Sequence, residues 1–273
     1  MTAVADGLAG FAAAGAADRN VLPWLLASTA CLYAGGVTLN DFFDRELDAV
    51  ERPERPIPSG RVRPAAAAFL GAALLGIGVL AATQVSAASA WIALAIVLAV
   101  ILYDSWGKHR IFLGPANMAV CRGLNLLLGI AAVPAALGGR WPLALLPFIY
   151  ICGITALSRG EVHGSRRPVA LFSVVSLILV LAGLATLALM RDPLGWWSLA
   201  LTAVFAWRVL PPFLAAVRKP EPAVIRNAIR TGVLSLVLLD AVIGGLFAGA
   251  LYSLLILATA VLAFGLARLF AVT

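Results

Sequence analysis

Long apolar stretches, separated by short joints rich in polar residues, Gly and Pro, run the length of the chain. Read as helices they fall at about 3–17, 21–43, 65–85, 89–106, 115–137, 141–157, 168–190, 195–212, 224–247 and 250–270. Most approach the roughly 17–25 residues a helix needs to cross a bilayer. In hydrocarbon each unpaired backbone group costs several kcal/mol, so these stretches are expected to be helical throughout. The first is short for a crossing, as the remainder of a longer helix would be, and the last has the weakest claim to a full crossing. No joint has room for a soluble domain. Residues 1–273 are therefore expected to form one all-α transmembrane bundle of nine to ten helices. Its most charged joints lie at about 44–64, 106–115 and 158–168.

Composition agrees with this pattern and excludes alternatives. Of 273 residues, 62% are hydrophobic and 12% charged, with mean hydropathy +1.00. A soluble domain is roughly 45–50% apolar and about 25% charged. Soluble enzymes, nucleic-acid modules and disulfide-stapled secreted folds do not fit. Net charge is +7, which in this class sets topology rather than recruiting nucleic acid. Fifteen of the twenty Lys and Arg residues follow the second, fourth, sixth and eighth helices: Arg45, Arg52, Arg55, Arg61 and Arg63; Lys108 and Arg110; Arg159, Arg166 and Arg167; Arg208, Arg218, Lys219, Arg226 and Arg230. The opposite joints hold Arg19, Arg140 and Arg191. The positive-inside rule makes the rich side cytoplasmic, and an even number of helices places both termini there. Cys31, Cys121 and Cys152 lie in apolar stretches without metal spacing and are expected to be small core residues. The N-terminus lacks the basic start and cleavage site of a signal peptide, so the first helix is expected to be retained.

Six of the thirteen acidic residues fall between positions 41 and 54. Asn40, Asp44 and Asp48 recur every four residues and form one polar stripe on a helix, with Asp41 beside it. Clustered carboxylates repel unless cations neutralise them, and hard oxygen ligands suit Mg²⁺, which completes its shell with substrate phosphates. The alternative, a solvated helix end balanced by its arginines, is the less favoured reading because the cluster begins inside a transmembrane stretch. The segment Arg52-Pro-Glu-Arg55-Pro-Ile-Pro-Ser59-Gly60-Arg61 then pairs stiffening prolines with bidentate phosphate donors. By itself it could bind lipid headgroups or anchor topology. Next to the acidic stripe, a diphosphate site at the cytoplasmic face is favoured.

The run Asn40-Asp41-x-x-Asp44-x-x-x-Asp48 followed by Arg52-Pro-x-Arg55-Pro-x-x-Ser59-Gly60 resembles the first aspartate-rich motif of the UbiA superfamily of intramembrane prenyltransferases. Tyr103-x-x-x-x-Lys108 is similar to that family's Tyr/Lys element in the next cytoplasmic joint. The family's second Asp-x-x-x-Asp motif is altered: its position reads Ser158-Arg159-Gly160-Glu161-Val162-His163-Gly164. This stretch, with Asn117-x-x-x-x-Arg122-Gly-Leu-Asn125, resembles the EboC-like branch, named for its gene cluster. Glu161 is then expected to bind a second metal, with His163 as ligand or phosphate donor. Alternatively that metal site is weakened and Arg159 supplies part of its charge.

The resemblance implies a UbiA-like bundle around a central cavity open near the cytoplasmic face, with Mg²⁺ as cofactor. Metal would sit on Asn40, Asp41, Asp44, Asp48 and Glu161. The diphosphate would meet Arg52, Arg55, Tyr103, Lys108, Arg110, Arg159 and His163. Charge growing on the leaving group is stabilised by such preorganised cations, and the allylic cation needs a dry chamber. Phe42, Phe43, Tyr103, Trp106 and Phe148 are candidate cation-facing aromatics, each also readable as packing. Arg122 lies two turns into an apolar helix, where an unpaired charge is expensive, so it is expected to face the cavity. Asn117 and Asn125 flank it as cavity residues or interhelical glue. Asp104 would either deprotonate the acceptor or hold Lys108 at i+4, the second slightly favoured. Asp6 is a candidate cavity residue, and Asp240 a partner for a neighbouring helix. His109 is expected at the surface.

The function expected is transfer of an isoprenyl group, farnesyl or geranylgeranyl, from its diphosphate to a small acceptor, with a polyol or cyclitol implied by the EboC-like resemblance. Catalysis would rest on Asp44, Asp48, Glu161, Asp104 and Arg122. Partners are the diphosphate, the acceptor, the bilayer and enzymes of the same pathway encoded nearby, with no nucleic acid. An intramembrane terpene cyclase is the nearest rival. A transporter or a non-turning-over lipid-diphosphate binder is the rival from another class, weakened by the lack of an internal repeat. The Asp-x-x-Asp-Gly pattern of CDP-alcohol phosphotransferases is absent, since Arg45 follows Asp44.

Overall fold

The computed structural model describes residues 2–15, 18–191 and 196–269, and every regular element among them is helical. The main helices are α1 (Thr2–Ala14), α2 (Leu22–Phe43), α3 (Arg45–Glu51), α4 (Pro64–Thr83), α5 (Ala87–Ser105), α6 (Leu113–Ile130), α7 (Leu137–Arg140), α8 (Leu145–Ser158), α9 (Arg167–Arg191), α10 (Trp196–Arg218), α11 (Pro222–Ala248) and α12 (Ala250–Leu269). All ten expected stretches form helices. The expected ends at 16–17, 195 and 270 lie outside the described residues.

Local sequence explains most boundaries. Asp18 accepts from the backbone N–H of Asn20 at 2.9 Å and opens the turn that leads into α2. Ser86 caps α5 by accepting from the N–H of Ser89, and its hydroxyl donates to the carbonyl of Ala131, which ties the start of α5 to the end of α6. Prolines open α4 and α11, where a missing N–H costs nothing.

Three expectations need correction. The fifth helix ends at Ile130 rather than 137, and the sixth begins at Leu145 rather than 141. Pro134, the Gly138–Gly139 pair and Pro142 break the chain between them into 3-10 turns and the one-turn α7. The eighth continues to Arg218 instead of stopping at 212, with Pro211 and Pro212 inside it. Membrane helices accept interior prolines because neighbouring groups satisfy the freed carbonyls. Arg208, Arg226 and Arg230, counted among the joint charges, accordingly sit within α10 and α11.

Seven segments are long and apolar enough to cross a bilayer: Arg19–Phe43, Pro64–Thr83, Ala87–Ser105, Pro134–Ser158, Arg167–Arg191, Trp196–Arg218 and Pro222–Ala248. Large apolar side chains such as Phe69, Leu80, Trp91 and Trp207 point outward and are more than 60% exposed, as lipid-facing residues are. The chain is an integral, multi-pass membrane protein.

The shortest of these ten helices, α1, is the hub. Ten of its thirteen residues are buried, nearly all of them Ala or Gly, and it packs on α2, α6, α11 and α12. One apolar cluster on α2, α4 and α5 includes Phe11 of α1, and a larger one gathers Ala5, Ala9 and Ala13 with α6 and α8–α11. Small residues permit this backbone approach. A Cβ on Gly10 would stand 2.1 Å from the carbonyl oxygen of Leu126, and one on Gly129 would stand 2.3 Å from that of Gly7. Gly10→Ala or Gly129→Ala is therefore expected to cost about 1–3 kcal/mol by overpacking. Gly76→Ala meets nothing within 4 Å and serves as the silent control. Temperature-ramped size-exclusion chromatography in detergent reads the difference.

Candidate active site

The acidic stripe forms as the spacing predicts. Asp44 ends α2 and opens α3, and the backbone bonds Asp44 N–H to Asn40 and Asp48 N–H to Asp44 carry the four-residue period through the junction. The stripe is neutralised from within the chain. Arg55 donates to Asp48 at 2.7 Å and to Asp41 at 3.2 Å through one nitrogen. Lys108 meets Asp44 at 2.5 Å. Arg55 is delivered by the turn after α3, which closes with Gly60 in the left-handed region at φ +76°.

Lys108 reaches Asp44 because α5 stops short of it. The chain leaves helical geometry at Trp106 (φ −149°), and Gly107–His109 forms a 3-10 turn. The i+4 pairing of Lys108 with Asp104, slightly favoured from spacing, does not form, because the two residues do not share a helix. Asp104 instead accepts from Asn40 Nδ2 at 2.8 Å, and its other carboxyl oxygen is buried without a partner among the described residues.

Asn40 and Asp104 stand at one end of a cavity of about 240 Å³ between α1, α2, α5 and α6. Its walls are mostly apolar, with Leu32, Val37, Ile96, Val100 and Met118. Tyr103 and Cys121 line it too, and its far end carries Thr29, Tyr33, Arg122 and Asn125. Arg122 thus faces the cavity as expected, and it is also neutralised. Its guanidinium donates to wholly buried Asp6 and to the Thr2 hydroxyl. Asn125 donates to Asp6 at 3.0 Å and to the carbonyl of Ala3 at 2.7 Å, and accepts from Thr29 at 3.3 Å. Asp240 of α11 is also wholly buried, and neither of its carboxyl oxygens has a hydrogen-bond partner among the described residues.

Other expected residues sit apart from the cavity. Asn117 packs against the Gly107 turn. Arg159 donates to the carbonyls of Lys108 and Arg110 at 3.1 and 3.3 Å, so it positions that turn. Glu161 lines a separate hollow with Arg226, Asn227 and Arg230, and its carbonyl accepts from Arg226. Exposed His163 follows it. Arg52 and Arg110 are exposed, Arg110 lying 4.8 Å over the Trp106 ring. Phe42 and Phe43 pack edge to face, and Phe148 joins the apolar core, which leaves Tyr103 as the one of the five candidate aromatics on the cavity wall. The His109 side chain is outside the description. Tyr33 was missed. The signal was present, since Thr29, Tyr33, Val37 and Asn40 share one face of α2 at helical spacing.

Asn40, Asp41, Asp44 and Asp48 offer only hard oxygen donors. Among the described residues no three of His, Cys, Asp and Glu gather in a group that could hold a metal ion. Mg²⁺ takes one or two carboxylates and fills its octahedron with water and phosphate oxygens, so this open donor set fits it.

The pair Asp6–Arg122 yields a test. Asp6→Ala is expected to destabilise the protein by about 3–5 kcal/mol, because it strands a buried charge. Adding Arg122→Met should restore most of the loss. Equal melting of the single and double variants in detergent would refute the pairing.

Residues 2–159 match the model of the UbiA prenyltransferase family. A digeranylgeranylglyceryl phosphate synthase of Methanothrix thermoacetophila is 32% identical over 195 residues, covering 67% of this chain and 73% of the relative. One of Methanopyrus kandleri is 37% identical over 131 residues, where the match spans 47% of this chain and less than half the relative's length, 46%. A solved structure from work on digeranylgeranylglyceryl phosphate synthase in membranes has TM-score 0.69 at 19% identity, covering 92% of this chain and 93% of that one, and so shares the fold.

Proposed function

The chain belongs to the UbiA prenyltransferase family, and we propose that it transfers a farnesyl or geranylgeranyl group from its diphosphate to a hydroxyl of a small acceptor, with Mg²⁺ bound on the acidic stripe. The observation that carries this reading is one juxtaposition. An apolar cavity ends at the Asn40–Asp104 pair, immediately beside carboxylates already matched to Lys108 and Arg55. The names of the relatives, which specify a geranylgeranyl-bearing glyceryl phosphate, support a hydroxyl acceptor. The excess of Lys and Arg on the same joints supports a cytoplasmic site with both termini on that side.

In this scheme the diphosphate lies against Arg55 and Lys108, with exposed Arg52 and Arg110 adding donors from the joints. Mg²⁺ would be held by one or two of Asp41, Asp44 and Asp48, with the Asn40 side-chain oxygen at hand, and would supply positive charge for the leaving group. The allylic C1–O bond breaks, and its electron pair leaves with the diphosphate. Leu32, Val37, Ile96 and Val100 keep water from the cation, and Tyr103 presents its ring beside the mouth. The acceptor oxygen forms the new bond to C1, and its proton passes to the free oxygen of Asp104. We leave Glu161 and His163 out of the metal set because they stand at a different hollow. Residues 1–273 act here as one catalytic unit.

Purified protein with geranylgeranyl or farnesyl diphosphate and a membrane extract as acceptor source provides the test. Asp44→Ala should abolish Mg²⁺-dependent diphosphate release. Asp104→Asn should keep release in the presence of acceptor but lower prenyl transfer by about 10²–10⁴-fold, the usual contribution of a general base. A cyclised hydrocarbon formed without acceptor would identify a terpene cyclase, and ion-dependent flux without diphosphate release would identify a transporter.

A further inference from the structure

The far end of the cavity is polar, and an isoprenoid tail would waste it. Of the five N–H donors on a guanidinium, Arg122 uses one toward Asp6 and one toward Thr2, and its side chain still borders the cavity. The Tyr33 hydroxyl borders the same space without a partner among the described residues, and the Thr29 oxygen retains acceptor capacity. Covering the remaining Arg122 donors with hydrocarbon would leave them unsatisfied, at a cost of about 1–3 kcal/mol each. The tail has another path. Tyr33, Val37 and Met118 line the cavity and are 49%, 48% and 37% exposed, so the cavity opens sideways toward lipid between α2 and α6.

Charge narrows the occupant further. Arg122 is the cation of this end, and Asp6 already neutralises it. An incoming phosphate or carboxylate would find no unmatched positive charge at this end, and the Asp6 carboxylate lies within the same apolar bundle, where charge repulsion is poorly screened.

We propose that the inner end of the cavity, formed by Thr29, Tyr33, Arg122 and Asn125, is the acceptor subsite, and that it takes the uncharged, oxygen-bearing part of the acceptor rather than an anionic group. Tyr33 lies two turns of α2 from Asn40, about 10 Å along the helix. The acceptor then spans that distance, with its uncharged polar part on Arg122 and Tyr33 and its reacting hydroxyl at Asp104. This rests on the prenyltransferase reading above and adds to it the class of acceptor.

The experiment compares a monoalkyl glycerol with its phosphate ester as acceptors for geranylgeranyl diphosphate, scoring diphosphate release and prenylated product separately. Wild type should favour the uncharged acceptor at least tenfold in kcat/KM. Tyr33→Phe and Thr29→Val, each a loss of one polar atom, should raise the acceptor KM about 3–10-fold and leave the donor KM unchanged. Asp6→Asn removes the neutralising charge, so it should shift preference toward the phosphate ester, and that ester should raise the variant's melting temperature more than wild type's. A wild-type preference for the phosphate ester, or Tyr33→Phe and Thr29→Val acting on donor KM instead, overturns the proposal. Should no diphosphate be released with either acceptor, the enzymatic reading fails. Thermal shift of wild type and Asp6→Asn by the two compounds then decides the subsite's charge preference alone.

Discussion

A guanidinium inside an apolar helix must be neutralised where it stands, and the arrangement around Arg122 follows from that requirement. The partner comes from α1, a helix too short for a full crossing and almost free of bulky side chains. Because Gly7, Gly10 and Gly129 let the α1 and α6 backbones touch, Asp6 can reach Arg122 without a gap that water would fill. Asn125, Ala3 and Thr29 extend the network across three helices, and one Asp6 carboxyl oxygen stays without a partner among the described residues. The pair gains little as a stabiliser in itself, since desolvating two charges offsets much of their attraction. Its consequence is registry: α1, α2 and α6 must meet at one level for these groups to be matched, and the cavity lies in the space they and α5 leave open.

The helices were legible because the bilayer makes apolar length a direct signal, and the ten stretches emerged from hydropathy and breakers alone. Ends failed where several breakers compete. Pro134, Gly138, Gly139 and Pro142 each could have stopped a helix, whereas α10 runs on through Pro211 and Pro212, as membrane helices can. The acidic stripe was legible because a four-residue period survives even the junction at Asp44. What spacing could not give was the pairing. Lys108 stands four residues after Asp104, and a helical count joins them, but the break at Trp106 sends the lysine to Asp44, sixty-four positions away in sequence. Asp6 and Arg122 are likewise far apart along the chain, and one sequence without its fold offers no rule that joins them.

The two sets of ion pairs differ in what they can do. At the mouth, Arg55 and its partner Asp41 are 31% and 42% exposed, and such a pair holds together weakly in a solvated setting. Asp48, Asp44 and Lys108 are more enclosed, at 8%, 20% and 11%. On the proposed reading an arriving diphosphate would take over these cations while the carboxylates turn to metal. At the inner end Asp6 is fully buried, and opening its pair would strand a charge in hydrocarbon. On that reading, a polyanion is accepted at one end of the cavity and refused at the other. The asymmetry would set the direction of a diphosphate-bearing substrate: its head at the loops, its reacting carbon beside Asp104, and its tail leaving through the lipid-facing side. The inner wall would then be free for a second molecule, whose hydroxyl would reach the same carbon from within.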